Sequence, residues 1–77
     1  MTVVPGFVIE YNRRSLDFRV TSFQGAGGHR SAFEKRLELE ARRDDDDVEI
    51  VSLTSDSLET VMKTHSRYFE GRQLLSA

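Results

Sequence analysis

Phe23-Gln24-Gly25-Ala26-Gly27-Gly28-His29-Arg30-Ser31, continued through the charged run to Arg43, Asp44-Asp45-Asp46-Asp47 and Val48-Glu49-Ile50-Val51-Ser52-Leu53, is the stretch that decides the fold. The glycines end a strand at Phe23, because a run free of side chains favours a loop over a ladder. Ser31-Ala32-Phe33-Glu34 has the capping-box spacing, in which a serine oxygen accepts from an amide three residues on and the glutamate reaches back. A helix is therefore expected from about His29–Ser31 to about Arg43. Its apolar positions Phe33, Leu37 and Ala41 recur every four residues as a narrow stripe, and Arg42 and Arg43 suit the negative end of its dipole. The four aspartates are repelled by that same end and stop the helix. Val48 to Leu53 is rich in β-branched residues and reads as a strand. The whole stretch is a β-loop-α-β unit.

Upstream, Phe7, Ile9 and Tyr11 alternate with Val8 and Glu10, and Leu16 to Thr21 alternates in the same way, as half-buried strands do. Asn12-Arg13-Arg14-Ser15 between them holds no apolar residue, so a hairpin is expected. Pro5 precedes the first strand, where its missing N–H does little harm. Downstream, Asp56 and Glu59 form a second capping box, and Leu58, Val61, Met62, His65 and Phe69 share one helical face. Gly71 is a natural stop.

The element order is thus ββαβα. The expected fold is α+β, a two-layer sandwich with a three-stranded sheet in the order 2-1-3 and two helices on one face. Residues 1–77 make a single small domain, with 1–5 and 72–77 expected to be flexible. The helices would cover Phe7, Ile9, Tyr11, Phe18, Val20, Val48 and Ile50. Val8, Phe23, Val51 and Leu53 would lie on the reverse face as an apolar patch of the kind that marks an interaction surface.

At 77 residues the chain buries only roughly 60% of the surface it exposes when unfolded, and such a core rarely supplies more than about 3–5 kcal/mol. There is no cysteine, which removes disulfides and thiolate metal sites and fits a reducing compartment. The amino terminus has no basic-then-apolar leader pattern, and no window approaches the roughly 20 apolar residues of a membrane span. A cytoplasmic protein stabilised by association is the expectation. Net charge is −2. Residues 1–36 hold six bases and three acids, and residues 37–77 hold five bases and ten acids. That polarity suits steering of a partner or head-to-tail alignment of two copies.

Three sites follow. Val8, Phe23, Val51 and Leu53, with Arg67 and Tyr68 near the end of the second helix, are candidate partner-binding residues, since arginine and aromatic side chains favour interface centres. Gly25, Gly27, Gly28, His29 and Arg30 bring free amides and two potential cations to a strand–helix junction that suits an anion. A dinucleotide fingerprint would need glycine in place of Arg30, and the phosphate-loop ending is missing. Arg13, Arg14 and Arg19 on the hairpin are candidate contacts for nucleic acid, set against an acidic chain without a basic stripe.

Other chemistries are disfavoured. Val48 stands where a calcium loop needs another oxygen ligand. His29 and His65 are expected about 13 Å apart along parallel helices, too far for one substrate atom or for ligands about 2.0–2.2 Å from one ion. No catalytic residue, metal site or cofactor is expected. A non-catalytic binding or regulatory protein acting through protein–protein contacts, as a homodimer, is the leading expectation. A nucleic-acid-associated regulator and an anion-binding module are the alternatives.

Overall fold

A computed structural model describes residues 5–74. β1 (Gly6–Asn12), β2 (Phe18–Phe23), α1 (Gly28–Arg42), β3 (Val48–Thr54) and α2 (Leu58–Thr64) follow one another, and a 3-10 turn spans Ser66–Phe69. The three strands form one sheet in the order β2-β1-β3, with both neighbouring pairs antiparallel. The α+β class, the ββαβα order and the strand order are those read from the sequence.

The expectation that both helices share a face is corrected. Ile9 lies opposite Val20 on one side and Val51 on the other, so Phe7, Ile9, Tyr11, Phe18, Val20, Val51 and Leu53 share a face. Val61 of α2 and Tyr68 and Phe69 of the 3-10 turn close over it. Gly6 and Val8 belong to the other face, and a Cβ added at Gly6 would stand 2.8 Å from the Cβ of Ala32 in α1. α1 therefore covers one side of the sheet and α2 the other, making three layers in place of two.

A single residue of register explains the discrepancy. Side chains along a strand alternate, so assigning Val48 and Ile50 to the Phe7 face in place of Val51 and Leu53 turns β3 over. With Val51 and Leu53 beneath α2, Val48 and Ile50 stand with Val8 on the α1 side.

The packing face of α1 also differs from its most apolar stripe. Phe33 and Leu37 are 46% and 48% exposed, whereas Gly28 and Ala32 are buried. Small residues let the helix backbone approach β1 closely, which a stripe of large side chains prevents. Half-exposed Lys35, Arg36 and Leu39 extend the same side, the two cations lying along it with their heads on Glu38 (3.6 Å) and Glu40 (2.9 Å).

The helix starts differ too. α1 begins at Gly28 with Gly27 as an N-cap that makes no side-chain bond, and Glu34 pairs with Arg30 at 3.3 Å in place of closing a capping box with Ser31. The N-cap of α2 is Ser57, whose side chain accepts from the Thr60 amide. α2 stops at Thr64, so the continuous helix to Phe69 is replaced by a short helix and a 3-10 turn.

The carboxyl-terminal stretch is partly tied down. Phe18 donates its amide to the Arg72 carbonyl at 3.0 Å and accepts from the Leu74 amide at 2.6 Å. Pro5 likewise accepts from the Ser55 amide at 3.3 Å. Residues 1–4 and 75–77 lie outside the described residues.

Candidate functional site

The hairpin tip is built by Asn12, whose side-chain oxygen accepts from the amides of Arg14 (2.9 Å) and Ser15 (3.0 Å). The turn then carries Leu16 at φ 67°. Its arginines meet the aspartate run. The Arg13 amide donates to the Asp47 carbonyl at 2.8 Å, its guanidinium to the Asp46 carbonyl, and Arg14 pairs with the Asp47 carboxylate. Arg19 stands across from Glu10 in the register and 3.9 Å from it. The three residues expected to meet nucleic acid are thus engaged within the chain, on a turn and a strand, and do not form one open basic surface.

The glycine-rich junction turns at Gly25, φ 84°, a left-handed conformation that favours glycine. The Gly28 amide donates to the Gly25 carbonyl at 3.1 Å. Gly28 is buried against the Phe23 backbone and Gly6, so it serves close packing. Gly25, Gly27, His29 and Arg30 remain exposed, with Arg30 on Glu34.

The expected partner-binding residues divide. Val8 is fully buried and meets no partner. Phe23 is half-buried on the α1 side, while Val51 and Leu53 pack against the core on the α2 side. They do not form one patch, because β3 is turned over relative to the sequence reading. Tyr68, expected among the partner-binding residues, is buried in the core, its ring edge-on to Tyr11 at 5.1 Å. Arg67 remains outside with its guanidinium 4.7 Å from the Tyr68 ring centre.

Tyr68, Arg67 and Glu49 form the best-defined polar group in the structure. The Tyr68 hydroxyl donates to the Glu49 carboxylate, and the Arg67 guanidinium donates to the same oxygen at 2.8 Å. The tyrosine hydrogen bond, aided by the guanidinium, holds the Glu49 carboxyl below its ordinary range. Burial pushes the Tyr68 hydroxyl up, and the neighbouring carboxylate adds to that. All three groups satisfy one another. His65 stacks on Tyr68 with ring centres 6.4 Å apart and meets the Thr64 hydroxyl at 2.8 Å. His29 sits on α1, on the opposite side of the sheet, so the two histidines do not converge.

The clefts are open. One of about 310 Å³ lies between α1 and β2, lined by Glu10, Arg19, Thr21, Phe23, Lys35 and Leu39. Another of about 290 Å³ follows Thr64 to Tyr68. Among the described residues no cluster of three or more histidine, aspartate or glutamate side chains is placed to hold a metal, and no helix is long and apolar enough to cross a membrane.

What stands available is different in kind. Phe33 and Leu37 on α1, and Leu58 and Met62 on α2, are the large exposed apolar side chains of the helices, each pair spaced i, i+4. β3 has β1 on one side and no strand on the other. The composition of β3, seven residues without lysine or proline, and the strand order 2-1-3 read from the sequence together carried the signal for this edge. Comparison of the chain with protein-family models, with curated proteins and with solved structures finds no match.

Proposed function

We propose that this chain is a small non-catalytic binding protein that works through protein–protein contacts, as a homodimer. The observation that carries this reading is the exposure of Phe33 (46%), Leu37 (48%), Leu58 (37%) and Met62 (45%) on the outer sides of the two helices. Apolar side chains left in water on a chain with so small a core favour an association that covers some of them. The Glu49 carboxylate and the Tyr68 hydroxyl bond each other, which supports a structural role for that cluster.

Sedimentation equilibrium at two concentrations about a hundredfold apart tests the proposal, since self-association follows mass action. The expected mass rises from 8.8 kDa toward twice that value. A constant monomer mass, together with no protein retained on the immobilised chain, would contradict it.

A further inference from the structure

The ladder shows which backbone groups of β3 face away from the sheet. Just beyond the two ends of the β1–β3 pairing, Ser55 donates to Pro5 at 3.3 Å and Arg13 donates to Asp47 at 2.8 Å. Hydrogen-bonded pairs alternate along an antiparallel ladder, so Glu49, Val51 and Leu53 bond β1 while Val48, Ile50, Ser52 and Thr54 turn their amides and carbonyls outward. Val48 is served by its own loop, donating to Asp45 at 3.1 Å and accepting from Arg43 at 3.1 Å. Ile50, Ser52 and Thr54 have no such partner among the described residues. The other edge contrasts with this, since Phe18 of β2 is bonded to Arg72 and Leu74.

Open edges in single-chain proteins are guarded by lysine, proline, a bulge or brevity. β3 has none of these. It runs seven residues in unbroken register with β1, and Ile50 to Ser55 carries no charge.

We propose that a second copy of this chain pairs its β3 with this β3, antiparallel about a twofold axis at Ser52. The inference rests on the self-association proposed above and names the surface that performs it. This register sets Ile50 against the partner's Thr54 and Ser52 against the partner's Ser52, so every outward amide and carbonyl of the three residues finds its counterpart. It also places Val51 beside the partner's Leu53 on the Phe7 side. The two sheets become one of six strands, order 2-1-3-3-1-2.

The position of α1 fits the same axis. The helix packs on β1 and β3 more than on β2. With strands about 4.8 Å apart, the twofold sets the two α1 helices antiparallel and about 10–14 Å apart, close enough for long side chains on their facing flanks to meet. Lys35 and Leu39 line the cleft over β2, which leaves Phe33, Arg36 and Glu40 on the flank toward the open edge. Ala32 lies by Gly6 and Leu39 by Glu10 and Ile50, so Arg36 is level with Ser52 and the axis and Phe33 with Leu53. Phe33, exposed in the single chain, is covered by the partner's Arg36.

Amide exchange at low and high protein concentration tests the inference together with two variants. In the concentrated sample Ile50, Ser52 and Thr54 are expected to exchange at least about tenfold more slowly, while Glu49, Val51 and Leu53 are protected at both concentrations. Ser52→Pro removes a donor that points away from β1, so the chain keeps its fold and the dissociation constant rises at least about a hundredfold. Phe33→Glu leaves the strands untouched and weakens the pair independently. A dimer whose outward amides exchange freely, and whose mass survives Ser52→Pro in a folded chain, would overturn this surface and leave self-association standing. A monomer at every concentration would remove both.

Discussion

The Tyr68 hydroxyl of the 3-10 turn donates to the Glu49 carboxylate of β3, fastening the last described helical segment to an edge strand. The bond crosses 19 residues of chain and lies beside the Tyr11–Tyr68 ring contact, so it holds the turn that closes the α2 side of the core. Tyr68→Phe keeps the ring and removes the donor. A loss of about 1–2 kcal/mol in urea unfolding is expected, the usual cost of removing a hydrogen bond to a charged group at a partly covered site. No change would mean that Arg67 alone satisfies Glu49.

The same pair sets a pH window. Glu49 is held below its ordinary value of 4.5, so its contribution is fully present above 4.5 and disappears as pH falls through the lower folded value. Tyr68 is raised above its ordinary value of 10.0, so its contribution is present below 10.0 and disappears as pH rises through the folded value. Stability measured from pH 3 to 11 is expected to fall at both ends, with smaller falls in Tyr68→Phe. Equal falls in both proteins would place the titration elsewhere.

Gly6→Val tests the seating of α1. A Cβ at this position stands 2.8 Å from the Ala32 Cβ and meets the Gly28 backbone as well, and backbone cannot move aside as a flexible side chain can. A loss of about 1–3 kcal/mol is expected from overpacking. A thermal midpoint equal to the parent's would show that α1 does not rest there.

Val51→Asp separates the two orientations of β3. On an open sheet face the substitution would leave the fold intact. Packed against the Phe7 cluster, it places a carboxylate beside the core without a partner, and a loss of about 3 kcal/mol or more is expected, enough to unfold so small a chain. A cooperative transition near the parent midpoint would return Val51 to an exposed surface.

Much of this architecture was legible in the sequence because strands and turns declare themselves locally. The alternation in Phe7–Tyr11, the polar tip at Asn12 and the break after Phe23 each depend on neighbouring residues alone. The side taken by each helix does not. β3 reads VEIVSLT, with apolar residues on both parities, so its pattern is compatible with either orientation, and only pairing with β1 selects Val51 and Leu53 for the α2 side. α1 misled for a related reason. Phe33 and Leu37 are its most apolar stripe, yet the buried contact belongs to Gly28 and Ala32, whose value lies in being small where Gly6 is also small. As for the candidate sites, residue types alone did not show that the aspartate run would occupy Arg13 and Arg14; the order 2-1-3 already made β3 a terminal strand.

A sheet covered on both faces leaves its β3 edge and the outer helix sides for association. Proton–proton contacts in solution test this directly. The Ala32 methyl is expected to contact the Gly6 α-protons, while the Val61 methyls contact the rings of the Phe7, Tyr11 and Phe18 cluster, with no contact between Ala32 and that cluster. Ala32 and Val61 methyls both meeting the Phe7 cluster would put the helices on one side and contradict the account.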